Sequence, residues 1–183
     1  MLSEIRIDGL GAIAEATATF STGLTVLTGE TGAGKTMVVT GLHLLSGARA
    51  DAGRVRVGAD RAVVEGRFTT DTVGDPARGE VEALLESTGA RRDDDDSIIA
   101  VRSVSTDGRS RAHLGGRSVP AGVLSEFTGS LLTVHGQNDQ LRLQRSDQQR
   151  AALDRFAGDT VTALLTEYRT RRRAWLAAGD ELR

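Results

Sequence analysis

The stretch LTVLTGETGAGKT, residues 24–36, decides the fold because it contains a complete phosphate-binding loop. Its last eight residues match the pattern G-x-x-x-x-G-K-[ST] at every specified position: Gly29, Glu30, Thr31, Gly32, Ala33, Gly34, Lys35 and Thr36. The glycines let the backbone N–H groups of such a loop turn inward around a phosphate. The lysine of the motif reaches the β and γ phosphates, and its hydroxyl residue ligates Mg²⁺. We therefore predict that this loop binds a nucleoside triphosphate, with Mg²⁺ at Thr36.

The residues on either side supply the strand and the helix that this loop requires. Residues 23–29, GLTVLTG, form a compact apolar run that predicts a buried strand. After the loop, apolar residues recur at helical spacing up to a glycine that predicts the helix C-terminus: Val38, Val39, Leu42, Leu45 and then Gly47. Lys35 is the only lysine among 23 basic residues. A slim ammonium fits between phosphate oxygens where a broad guanidinium does not, so we predict a catalytic role for Lys35.

Composition limits the class of protein. The chain has 183 residues, 39% of them hydrophobic, which is enough for one sizeable domain with an appendage. A formal net charge of −2 argues against coating nucleic acid by bulk charge, so a DNA contact would have to be local. There is no cysteine, no apolar run long enough to span a bilayer and no signal-peptide pattern at the N-terminus. We therefore expect a cytoplasmic protein with no membrane partner.

Alternation and turn residues predict an antiparallel β lobe around the loop. SEIRI and ATATF predict paired strands on either side of a loop at residues 8–15. Residues 54–70 predict a hairpin that turns near Gly58, and residues 79–89 predict a helix that ends at Gly89. Asp107-Gly108 and Gly115-Gly116 predict a three-stranded meander. A short helix, GVLSEF, and a buried strand, SLLTVHGQ, follow.

The character of the chain changes at Ser146. Ser146 and Gln149 have capping-box spacing and open a predicted helix, and a second helix follows Gly158. Apolar residues of the second helix fall at the spacing of a coiled-coil seam, with Arg171 and Ala178 at the remaining seam positions: Val161, Leu164, Tyr168, Trp175 and Leu182. An ordinary amphipathic helix is the alternative. We predict two domains, residues 1–145 and residues 146–183.

Four ordered segments carry a family resemblance. Residues 5–36, 44–68, 105–120 and 131–143 closely resemble the N-terminal part of the RecN family of bacterial DNA repair proteins, which are SMC-like ABC ATPases. The resemblance implies an α/β P-loop NTPase fold, specifically the N-terminal half of an ABC/SMC-type head with an antiparallel β lobe and a C-terminal helical, coiled-coil extension. It also implies recombinational repair of double-strand breaks and association with the nucleoid after DNA damage.

The resemblance further implies partners and two more site features. Such heads join an N-terminal and a C-terminal half, and two ATP molecules lie between two heads, so we expect a homodimer and, in the whole protein, DNA. ABC heads place a glutamine after a buried strand, where it contacts Mg²⁺ and the attacking water. Gln137 is the candidate, with His135 and Gln140 as alternatives in the same loop. We find no acidic strand end and no signature motif after residue 36, so we expect a fragment that hydrolyses ATP poorly alone.

Other functions stay open on the sequence alone. A nucleotide-responsive structural tether of DNA, or a small P-loop phosphotransferase, would use the same loop. Two groups of arginines could contact phosphate, although solvated strand positions are the simpler interpretation: Arg49, Arg54, Arg56, Arg61 and Arg67, then Arg102, Arg109, Arg111 and Arg117. Arg169–Arg173 and Glu167 are interpreted first as a charged helix face.

Overall fold

The computed structural model describes residues 1–30, 34–132, 134 and 146–181. The chain divides into two compact units, Met1–Val134 and His135–Arg183. None of the helices in the described part is both long enough and apolar enough to cross a bilayer.

A six-stranded antiparallel sheet forms the first unit, in the order β2-β1-β3-β4-β5-β6. Its strands are β1 Leu2–Leu10, β2 Ile13–Thr19, β3 Arg61–Phe68, β4 Ile98–Ser105, β5 Ser110–Leu114 and β6 Arg117–Val119. The predicted N-terminal strand pair and the meander are confirmed. The first connection is tighter than predicted, because Asp8 pairs with Glu15 and Leu10 with Ile13, which leaves only Gly11 and Ala12 in the turn.

Helices α1 Lys35–Leu45 and α3 Ala121–Leu131 pack against this sheet, and α2 Asp75–Thr88 packs against α3. The predicted glycine ends are confirmed, since Gly47 (φ 77°) and Gly89 (φ 67°) adopt the left-handed backbone that stops a helix. Gly41 lets α1 lie close to the sheet. A Cβ there would lie 3.1 Å from Ile7 Cδ1 and 3.3 Å from Val64 Cγ1.

The core lies between these helices and one face of the sheet. Alternate residues of β3 and β4 point into it, as the period of two requires. Phe68 of β3 meets Phe127 of α3 edge to face, with ring centroids 5.1 Å apart. Aliphatic side chains from all three helices and the strands complete the core, which fixes α1, and with it Lys35, relative to the sheet.

The apolar run before the loop is not a buried strand, so this prediction is wrong. Residues 21–30 form no regular secondary structure, and Leu24 and Val26 are 89% and 68% exposed. An apolar run becomes a buried strand only when neighbouring strands pair with it and layers cover both faces. Among the described residues no strand pairs with this run, so its side chains remain in solvent.

The hairpin predicted over residues 54–70 is also wrong in its first half. Residues Ala52–Arg54 form a short 3-10 helix, Val55 makes a single bridge to Leu10, and Val57 is fully exposed. The second half is β3, but its partners are β1 and β4. Alternation at residues 54–57 matched a strand, but both sides of β3 are taken by strands distant in sequence.

The strand predicted at SLLTVHGQ is not present where the structure describes that segment. Ser130 and Leu131 belong to α3, and Leu132 and Val134 form no strand. The helix predicted as GVLSEF therefore continues further than expected, because Leu124, Phe127 and Thr128 bury one continuous face. Residues 133 and 135–137 lie outside the described residues.

Where the structure describes it, the second unit has two helices, α4 Ser146–Phe156 and α5 Asp159–Glu181, joined at Gly158 (φ 80°). Both helices were predicted. The seam residues Leu164, Tyr168 and Trp175 are largely exposed, and Trp175 is 72% exposed. Leu182 lies outside the described residues.

Candidate nucleotide-binding site

The start of α1 builds the centre of the site. Gly34 adopts a left-handed conformation (φ 91°), and its carbonyl accepts hydrogen bonds from the backbone N–H groups of Met37 (2.8 Å) and Val38 (3.1 Å). A Cβ on Gly34 would lie 3.1 Å from Ile13 Cγ1 of β2, so only glycine fits this turn without strain. The first turn of α1 has no acidic residue, which leaves the positive helix end free for an anion.

Lys35 reaches back over the loop. Its ammonium donates hydrogen bonds to the backbone carbonyl of Gly29 and to that of Glu30, the latter at 2.6 Å. The two ends of the predicted motif therefore meet through one side chain, although Thr31, Gly32 and Ala33 lie outside the described residues. The two carbonyl oxygens accept hydrogen bonds from the ammonium in the way that the oxygens of an anion would. Lys35 is therefore placed to exchange these carbonyl oxygens for phosphate oxygens.

Thr36 offers a free hydroxyl beside the lysine. Its side chain is exposed, and its carbonyl accepts a hydrogen bond from Thr40 Oγ1 (2.9 Å). In the part of the chain that the structure describes, no group forms a hydrogen bond with the Thr36 hydroxyl. An unengaged hydroxyl at the start of the helix fits a Mg²⁺ ligand, and together with Gly34 and Lys35 it fits Mg-ATP.

The segment after α1 is tied to both the helix and the first β turn. Arg54 donates from Nη1 to Thr40 Oγ1 (3.3 Å) and forms an ion pair with Asp51 (3.4 Å). Arg56 donates from Nη1 to the carbonyl of Ala12 (2.6 Å), in the turn between β1 and β2. This segment therefore fixes the β turn beside the N-terminal half of α1. A cavity of about 170 Å³ lies on the same flank, lined by residues that include His43, Arg49 and Arg54.

Several arginines of the two predicted groups contact protein groups. Arg67 donates to Asp93 (3.0 Å), Asp95 (2.8 Å) and Ser97 Oγ (2.6 Å), and it holds the acidic loop after α2. The hydrogen bond to Asp93 raises the pKa of Arg67. Arg109 forms an ion pair with Asp107, and Arg117 donates to the carbonyl of Gly89. These cations are occupied by protein groups.

Arg102 is placed differently from the rest. It points to the core side of β4 and is only 5% exposed, and no described group forms a hydrogen bond with its buried Nε. Burial lowers the pKa of this guanidinium. The alternation of β4 could have indicated this position, because Ile98, Ala100 and Val104 share its face.

Gln137, His135 and Gln140 lie outside the described residues, so their predicted contact with Mg²⁺ and the attacking water stays a prediction. Glu167 is an exposed residue of α5 and forms an ion pair with Arg171 (2.6 Å). This is the charged helix face expected for it.

Comparison with known proteins identifies the family. A family model described as an AAA domain matches residues 4–161. The chain belongs to this AAA domain family. The resemblance to RecN is also confirmed: the chain is 65% identical, over its whole length, to the DNA repair protein RecN of Mycobacterium bovis, and 53% identical over 90% of its length to that of Streptomyces coelicolor. It spans only 31% and 28% of the length of these two relatives.

Solved structures with a fold similar to that of this chain include SMC heads. The Smc head domain with a coiled coil and joint from Pyrococcus yayanosii has a TM-score of 0.68 at 18% identity. The match covers 97% of this chain and 35% of the Pyrococcus chain. The recombination mediator protein RecF-ATP has a TM-score of 0.54 at 17% identity, with 84% and 38% covered. The predicted fold class, an α/β P-loop NTPase of the ABC/SMC head type with an antiparallel lobe, is confirmed.

Proposed function

We propose that this chain is the N-terminal ATP-binding part of a RecN-like DNA double-strand-break repair ATPase. The observation that carries the proposal is the position of Lys35, whose ammonium spans from the first turn of α1 to the carbonyls of Gly29 and Glu30. The free Thr36 hydroxyl and the helix end without acidic residues fit the Mg²⁺ and phosphates of ATP.

Lys35 and Thr36 each have a defined role in this proposal. Lys35 exchanges its carbonyl partners for β and γ phosphate oxygens, and Thr36 contributes its hydroxyl to Mg²⁺. Bound Mg-ATP supplies the electrophilic phosphorus and its charge-neutralising metal. Gln137, by resemblance, orients water in the complete head. In this proposal residues 1–145 form the head part, and residues 146–183 lead into a coiled coil.

The exposed apolar run supports the proposal that another segment completes the head. Leu24, Val26 and Leu27 stand in solvent immediately before the loop, in a sequence with the composition of a central strand. Strands supplied by a C-terminal half of the same head would pair with this run and bury it. They would also bring the acidic residues that the hydrolysis of ATP requires, and a second head would complete the site across a homodimer.

The proposal is tested by separating ATP binding from turnover. Calorimetry should detect Mg-ATP binding to this chain, whereas phosphate release should stay at background. Turnover should appear when the chain is mixed with the C-terminal part of the protein, and rise further with DNA. Brisk hydrolysis by the chain alone would contradict the split head, and ATP binding without turnover in the complete protein would favour the structural tether.

A further inference from the structure

The two helices of the second unit enclose a basic groove. Its walls are Arg150 and Asp154 of α4, and Leu165, Tyr168, Arg169, Arg172 and Arg173 of α5. The groove has a volume of about 790 Å³ and is open to solvent. It places four guanidinium groups against one carboxylate, which gives this short unit a concentrated positive charge within a chain whose formal net charge is −2.

The arginines of this groove are not neutralised by their neighbours. Among the side chains that the structure describes, none forms an ion pair or a hydrogen bond with Arg150, Arg169 or Arg172. Arg173 donates only a long bond, 3.4 Å, to the carbonyl of Arg169. Arg171, in the same run of sequence, differs because it is held by Glu167 at 2.6 Å. The run RTRRR therefore contributes to two surfaces: Arg171 lies on a surface where it is paired with Glu167, and the other arginines lie in the groove without an acidic partner among the described residues.

The free surface is separate from the apolar seam of α5. At about 100° per residue, Arg169 and Arg173 lie more than roughly 100° around the helix from the centre of Val161, Leu164 and Trp175, whereas Arg172 lies about 50° from it. A partner helix that covered the seam would therefore leave Arg169 and Arg173 accessible. Only Tyr168 belongs to both surfaces, at their shared edge.

We infer that this groove binds the phosphodiester backbone of DNA, without reading its sequence. Guanidinium groups bind phosphate oxygens in a bidentate manner, and Arg169 and Arg173 are about 6 Å apart along the helix axis, a distance comparable to that between successive phosphates. The choice of DNA among polyanions rests on the proposed repair function. The groove then holds DNA at the root of the helical extension.

The test compares two neighbouring arginines in the full-length protein. Arg172→Gln removes a free cation from the groove, and Arg171→Gln removes the paired one as the matched control. Binding to a fluorescent duplex is measured by anisotropy over a salt series. Arg172→Gln should lower the slope of log K against log salt by about 1, and R169Q/R172Q/R173Q by about 3 with a loss of affinity of tenfold or more, whereas Arg171→Gln should match the wild type.

Two further measurements separate this inference from the proposed function. Calorimetry of Mg-ATP should give the same affinity in all these variants, and circular dichroism should show the same helix content. Equal losses of DNA affinity in Arg171→Gln and Arg172→Gln, or an unchanged DNA affinity in the triple variant, would contradict DNA binding by the groove. Unchanged ATP binding in the same variants would leave the proposed function intact. A triple variant that binds the duplex like the wild type but loses binding of a fluorescent acidic helical peptide would assign the groove to a protein partner and overturn the inference as well.

Discussion

The ammonium of Lys35 lies 2.6 Å from the backbone carbonyl oxygen of Glu30 and donates a hydrogen bond to it. This contact closes the loop on itself across five residues of sequence. The loop therefore already has a cation at its centre, and a phosphate has to take the place of the carbonyls.

Lys35→Arg should weaken Mg-ATP binding although the charge is kept. A planar guanidinium cannot enter the space between two loop carbonyls as a compact ammonium does, so we expect a loss of affinity of about tenfold or more, or ~1.4 kcal/mol. Calorimetry on both proteins measures it. Arg54→Lys on the same flank is the control and should bind as the wild type; equal affinity of Lys35→Arg would show that charge alone matters.

Gly47→Ala should destabilise the first unit. Its φ of 77° is strained for alanine, and the new Cβ would lie 2.6 Å from the Ala121 carbonyl oxygen and 2.9 Å from Ser125 Cβ. We expect a loss of about 1–3 kcal/mol in the free energy of unfolding by urea. Gly79→Ala is the control: Gly79 is an exposed residue of α2, no atom of the described residues outside the helix backbone lies within 4 Å of the new Cβ, and the change should raise stability by about 0.5–1 kcal/mol.

Arg102→Met should leave the stability of the chain unchanged or raise it by up to about 3 kcal/mol. Methionine keeps an unbranched apolar stem and removes a buried guanidinium whose Nε has no partner among the described residues. Urea unfolding measures the change. Arg67→Met should do the reverse and lose about 1–2 kcal/mol, because it strips Ser97 and two aspartates of their donor. A loss in Arg102→Met as large as that would contradict the burial argument.

Ser97→Ala should reduce the acid sensitivity of the fold. Hydrogen bonds from the Ser97 hydroxyl and backbone N–H lower the pKa of Asp95, and Arg67 lowers it further. A carboxyl whose folded pKa lies below its unfolded value contributes stability above the unfolded pKa, about 4, and loses it as pH falls through the folded one. Urea unfolding from pH 6 to pH 2.5 should therefore show a shallower decline in Ser97→Ala, and identical declines would refute the assignment.

Local pattern predicted the elements that depend on nearby residues. The glycine that ends α2, the two tight turns of the meander and the helical spacing after Lys35 are short-range signals, and all three are confirmed. Leu24 and Val26 show the limit, since an apolar run cannot reveal whether neighbouring strands exist to cover it. Val55 shows a second limit. Its alternating pattern predicted a strand next to β3, but β1 and β4, which are distant in sequence, pair with β3 instead.

The loop that leads into α1 should bind Mg-ATP, and titration of Mg-ATP into this chain tests this most directly. We predict one saturable site per chain in the wild type, no measurable binding in Lys35→Ala, and the same unfolding curve for both proteins. Absence of heat in the wild type, or a folded Lys35→Ala protein that binds Mg-ATP as tightly as the wild type, would contradict the account.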